Sequence, residues 1–270
     1  MVVSLLLLFS FTATAADLGP DLLAAAKKGQ TVRVESLAGK GAPLESTDKD
    51  GRTALMLAAQ HGHAETVRAL LAKGARPDLR DKLGWTAYGL ALFSPAGGRE
   101  EVLQALPQPA TVRLAVKAAM GTENLYNSCL LRLPQLVEQV RAIQPEARVV
   151  AAVRDAARAA TVKVPVELVA EGGDAVLNLR VRPRVGCVEQ QYSDNLSVEA
   201  DVRVVVNGEA GAVLEKTFGG GFKGLHQQMV SSLAQYPPVF DEWAKKHGST
   251  IYWAVVEALL RHEHSGGERR

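Results

Sequence analysis

Self-similarity at a spacing of 33 residues dominates the front of the chain. Asp48-Lys49-Asp50-Gly51-Arg52-Thr53-Ala54 returns as Asp81-Lys82-Leu83-Gly84-Trp85-Thr86-Ala87. The same interval, taken backwards, lays Ala25-Ala26-Lys27-Lys28-Gly29 on Ala58-Ala59-Gln60-His61-Gly62, and Lys40-Gly41-Ala42 on Lys73-Gly74-Ala75. A fixed period of roughly 20–50 residues means one supersecondary unit stacked on copies of itself, because a single unit cannot bury its own apolar face.

The best-formed unit reads as two helices. Thr53 is placed to cap the first, Leu55, Leu57, Ala58 and Ala59 supply its packing, and Gly62 ends it by taking a left-handed conformation. Val67, Leu70 and Leu71 form the apolar stripe of the second helix, and Gly74 ends that one. Asp78 to Lys82 then leads into a hairpin finger. In period and residues, the run from Asp50 to Asp78 resembles the ankyrin repeat. The resemblance implies about three units over residues 17–107 that bind another protein through finger tips and the concave face of the first helices, with no enzyme chemistry. The outer units depart from the pattern. The first is polar at Lys27, Lys28, Gln30 and Arg33, as a terminal cap should be. The third has Tyr88-Gly89 where the second has Leu55-Met56. It also carries two extra residues around Ser94 to Gly98 and a second helix from Arg99 to Leu106, stopped by Pro107. By the offset, Arg52 and Trp85 share an outward position beside the finger, a pairing of residue types common at binding anchors. With Asp50, Gln60, His61, Lys82 and Tyr88 they make the expected partner-binding set. The alternative for Trp85 is that it packs on its own finger or on the second domain.

Residues 2–11 are almost wholly apolar and lead into Thr12-Ala13-Thr14-Ala15-Ala16, the form of a secretory signal peptide over residues 1–16. No Lys or Arg precedes the run, which departs from that form; a membrane-associated N-terminus is the alternative. The run is too short for a stable bilayer anchor, and no later stretch is long and apolar enough for one. Export places the protein in the periplasm or outside the cell. There the two cysteines, Cys129 and Cys187, are expected to form a disulfide, against the alternative of two separate buried thiols. A net charge of +2 gives no ground for a nucleic-acid partner.

Pro107 and Pro109 mark a boundary, and residues 110–263 are expected to form an α+β domain followed by a disordered tail, 264–270. Thr111 to Met120 reads as a helix on the spacing of Val112, Ala115, Val116 and Ala119. Pro134 and Pro145 are placed to start two more helices. The apolar period then shortens to two residues in three stretches: Val162 to Leu168, Ala175 to Val181 and Leu196 to Val206. Asn207-Gly208 reads as a turn and Ala212 to Phe218 as a returning strand. Ile251, Ala254, Val255, Ala258 and Leu259 make the stripe of a closing helix. The fold class is therefore α+β: a helical repeat stack, then an antiparallel sheet covered on one face by helices. Cys187 shares the parity of Leu177, Leu179 and Val181, which points it to the covered face.

Catalytic signatures are wanting. Gly219-Gly220-Gly221-Phe222-Lys223-Gly224 has neither the spacing nor the hydroxyl of a phosphate loop and reads as a flexible loop. His262 and His264 lack a third ligand, and no serine sits in a nucleophile elbow. Arg180, Arg182 and Arg184 form a basic stripe, opposed by Glu199 and Asp201 as cross-strand ion pairs. No cofactor or metal is expected. The leading expectation is an exported, non-catalytic protein that mediates protein–protein interaction in the cell envelope. The rivals are an envelope assembly or transport accessory acting through the second domain, an enzyme with an interdomain site, and an effector delivered to another cell.

Overall fold

The computed structural model describes residues 18–121, 138, 141–162, 164–188, 191–207, 211–221 and 237–262; for 183–188, 191–197, 220–221 and 237–239 it describes the backbone alone. The chain divides between Gln108 and Pro109 into two compact units.

The first unit is three helix pairs: α1 (Gly19–Lys27) with α2 (Thr31–Gly39), α3 (Ala54–Gln60) with α4 (Ala64–Ala72), and α5 (Ala87–Leu92) with α6 (Arg99–Ala105). The first helices touch one another in the order α1, α3, α5, and α2, α4, α6 stack in a second layer. Apolar residues between the layers are closed off from solvent: Leu22, Ala26, Leu55, Ala58, Val67, Leu70, Ala91 and Val102 are at most 1% exposed. Gly29 and Gly62 terminate α1 and α3 with φ of +66° and +78°. Thr53 and Thr86 cap α3 and α5, each Oγ1 accepting a backbone N–H three residues on at 3.3 Å.

The second unit contains a five-stranded sheet of order β2-β1-β3-β4-β5, made of β1 (Val112–Met120), β2 (Val166–Val169), β3 (Ala175–Val188), β4 (Gln191–Val206) and β5 (Ala212–Gly221). Helices α7 (Pro145–Ala159) and α8 (Pro237–His262) pack on it. The α+β class stands, and α7 starts at Pro145 as the sequence suggests. Four details of the strands differ from the sequence reading. Thr111 to Met120 is not a helix: Val112, Leu114, Val116, Ala118 and Met120 also alternate with period two, and the alanines at 115, 118 and 119 fit either period. Since β1 runs parallel to both β2 and β3, the sheet is mixed, antiparallel only across β3, β4 and β5. The strand expected from Val162 begins at Val166. Finally, Gly219 to Gly221 are no loop: they pair with Glu199, Val198 and Ser197 as the end of β5.

One face of the sheet is apolar. Leu177, Leu179 and Val181 lie opposite Val204, Val202 and Ala200, all at most 2% exposed. In the closing helix Ile251, Tyr252, Val255, Val256, Leu259 and Leu260 are buried, and Ala254 and Ala258 are half-buried. Its buried stripe is thus rotated from the expected one, because α8 packs on β5 and α7 together. Gly248 permits that approach, since a Cβ there would sit 2.6 Å from Ala152 Cβ. The register of β3 shifts between Val185 and Cys187, so counting alternate residues does not carry the parity argument as far as Cys187. Cys129, Pro134, Gly208, residues 222–224 and His264 lie outside the described residues, as does the side chain of Cys187.

Candidate partner-binding surface

The two fingers are built alike, and their differences define the surface. Asp48 Oδ1 accepts the N–H groups of Asp50 and Arg52, each at 2.9 Å. Asp81 Oδ1 likewise accepts those of Leu83 and Trp85, at 2.9 and 2.8 Å. These side-chain turns fix each tip against its own hairpin. The fingers also join one another: Lys82 N–H donates to the Asp50 carbonyl at 3.0 Å, and Lys82 Nζ to the Lys49 carbonyl at 2.6 Å.

Beside the first finger, Arg52 is fully engaged. Its guanidinium reaches Asp48 and Asp50, both at 2.8 Å, and its Nη1 donates to Gln60 Oε1 at 3.0 Å. The bond to Gln60 bridges the two positions either side of Met56, which is 1% exposed. Burial on its own raises the Asp48 carboxyl. The N–H and guanidinium of Arg52 and the N–H of Asp50 outweigh it and hold the group below its ordinary value.

One repeat later the same three positions are Trp85, Gly89 and Phe93. The indole packs where Met56 sits in the second repeat: a Cβ on Gly89 would lie 2.6 Å from Trp85 Cε3. The Trp85 and Phe93 rings meet at a centroid distance of 5.3 Å. A polar clasp in one repeat is thus an aromatic clasp in the next, and the glycine interrupting α5 is the recess that admits the indole. Phe93 is 37% exposed, and Leu83 at the finger tip is 63% exposed. Trp85 packs on its own repeat and is half-exposed.

The expected set is brought together in part. Asp50, His61 and Lys82 are exposed, and Arg52, Gln60 and Trp85 are half-exposed. Tyr88 does not belong to the surface. It is 4% exposed in the core between the layers, and its burial raises the phenol. The signal was available, for 33 residues earlier stands Leu55, a core position. The same offset yields two residues the sequence reading passed over: Phe93 is the counterpart of Gln60, and Leu83 that of Asp50. His61 is lowered by burial first, then by the positive charges of Lys27, His63 and Arg52.

In the second unit, the face of the sheet turned from the helices carries the cross-strand pairs the sequence suggests. Arg182 meets Asp201 at 2.6 Å and Glu199 at 3.4 Å, and Thr217 Oγ1 donates to Asp201 at 2.8 Å. The groove between α7 and α8 is walled by Ala147, Ala151, Ala152 and Ala156, with Asp155, Lys245 and Ser249 also on its lining, beside the Arg148–Asp241 ion pair. Among the described residues, no group of three His, Cys, Asp or Glu is placed to hold a metal, and no helix is long and apolar enough to cross a membrane.

Paired helices stacked in two layers with fingers between them define a helical-repeat, protein-binding class of domain. The family model described as Ankyrin repeats (3 copies) matches residues 22–114, so this part of the chain is three ankyrin repeats. Its last residues already belong to β1. No curated protein matches the chain.

Proposed function

We propose that this protein is an exported, non-catalytic adaptor that holds a partner protein on its first-helix face in the cell envelope. Protein–protein interaction is the role that ankyrin repeats support. The observation that carries the surface is the aromatic clasp of Trp85 and Phe93 beside the exposed tip residue Leu83. Partly exposed aromatic rings fixed by packing lose little entropy when a partner covers them, which is what a binding anchor requires. Export rests on the apolar run 2–11 and the small residues that follow it.

A photo-crosslinking residue placed at Leu83 in the native host tests the surface. A discrete adduct is expected that vanishes in the Trp85→Ser/Phe93→Ser variant and is not formed from Val32, a residue of α2 that is 80% exposed. An adduct unaffected by the double substitution, or formed equally from Val32, removes this face from the function. N-terminal sequencing of the protein from fractionated cells tests export. A start near Asp17 in the exported fraction is expected, and an intact Met1 in the cytosolic fraction refutes it.

A further inference from the structure

The repeat offset lines up residues that are far apart in sequence. Lys27, Gln60 and Phe93 hold one position in successive repeats, and Lys28, His61 and Ser94 hold the next. Since α1, α3 and α5 lie side by side, each set runs along the stack. The face therefore changes character from end to end. Lys27 and Lys28 are exposed cations at the first repeat, Gln60 and His61 are polar at the second, and Phe93 with Trp85 and Leu83 is apolar at the third.

Charge sharpens the contrast. Arg52 is neutralised by Asp48 and Asp50, whereas among the described residues no carboxylate pairs with Lys27 or Lys28. Lys27 also opposes the protonation of His61 one repeat on, in keeping with exposed, unneutralised lysines at this end of the face. Packed helices lie about 8–10 Å apart, so Lys27 and Phe93, two steps apart, are separated by roughly 16–20 Å. An extended chain advances about 3.3 Å per residue and covers that span in about five or six residues.

We propose that the first-helix face binds an extended segment of its partner in one register. An acidic side chain lies over Lys27 and Lys28, and an apolar side chain about five or six residues away seats on Trp85 and Phe93. This rests on the reading that the face binds protein and adds the chemistry and spacing of what it binds. The cationic end steers and fixes register, and the aromatic end supplies the buried contact.

Selection of random twelve-residue peptides displayed on phage against the full chain tests this, followed by fluorescence anisotropy of the recovered peptides. Expected are peptides carrying Asp or Glu about five or six residues from a Leu, Phe or Trp. Lys27→Glu/Lys28→Glu should weaken them about tenfold or more, and replacing the peptide's acid by Lys should restore binding to that variant. Trp85→Ser/Phe93→Ser, whose retained fold is checked by circular dichroism, should weaken them equally. Basic peptides, or acidic ones indifferent to the lysine reversal, overturn the register. If such peptides still need Trp85 and Phe93, protein binding by the face survives and only its acidic arm falls. Should no selected peptide respond to any of the four substitutions, both readings fall.

Discussion

The two fingers offer an internal comparison, because Asp48 and Asp81 perform the same turn with different neighbours. Replacing Asp48 by Ala removes two hydrogen bonds from backbone N–H groups, each at 2.9 Å. It also removes the contacts to Arg52 Nε at 3.0 Å and Nη2 at 2.8 Å. At about 1 kcal/mol for each backbone bond and about 1 kcal/mol for a partly exposed ion pair, Asp48→Ala should cost about 3 kcal/mol. Asp81→Ala removes the two backbone bonds at 2.9 and 2.8 Å, with Trp85 in place of the arginine, and should cost about 2 kcal/mol. Urea unfolding of the full chain gives the totals, and hydrogen exchange over residues 47–60 and 80–93 assigns each loss to its finger. The difference of about 1 kcal/mol should shrink in 1 M salt, which screens the ion pair but not the backbone bonds. The Asp48 carboxyl is lowered in the fold from 3.8. The folded state therefore holds that proton less well than the unfolded chain. Its contribution is complete above about pH 4 and is lost as pH falls through the lowered folded value. Asp48→Asn should lose that slope. An Asp81→Ala cost equal to or above that of Asp48→Ala at low salt would refute the role assigned to Arg52.

Three further outcomes follow from the packing. Gly89→Ala should leave stability within about 1 kcal/mol, because the helix gains what the displaced ring loses. It should shift the fluorine resonance of 5-fluorotryptophan at position 85, and an unmoved resonance contradicts the recess. Gly248→Val should destabilise the second unit by about 1–3 kcal/mol while leaving the first unchanged in hydrogen exchange, since the added methyls meet Ala152 on α7. His61, lowered from 6.5, should contribute fully above about pH 6.5 and lose its contribution as pH falls through the lowered value. A His61→Gln chain whose stability keeps the same slope between about pH 5 and 7 contradicts that.

The front of the chain was legible because its structure is local. Caps, helix ends and finger turns are each decided within one repeat by residues such as Thr53, Gly62 and Asp48, and copies 33 residues apart confirm one another. Even the extra residues near Ser94 were visible: α4 starts at Ala64 and α6 at Arg99, 35 residues on where 33 would repeat. The Ser94 hydroxyl donates to the Gln60 carbonyl at 2.6 Å, fastening the insertion to the end of α3. Tyr88 was misplaced through nearness in sequence to Trp85, although its own offset partner marked it as core.

What the sequence by itself determined is the repeat, the boundary near Pro107 and Pro109, and the alternation of β3 and β4. Each is written in short-range spacing and in backbone preferences of Gly, Pro and Thr. Tertiary structure decided β1. Its alanine-rich residues suit a helix or a strand, and the choice falls to strand because hydrogen bonds on both edges come from β2 and β3, more than fifty residues away. It likewise decided the closing helix's stripe, which follows where α7 and β5 lie, and the clasp of Trp85 on Phe93, which needs the side chains of two turns and the missing Cβ of Gly89 to meet in space. A spacing pattern records which faces are apolar; only the assembled chain determines what each face is pressed against.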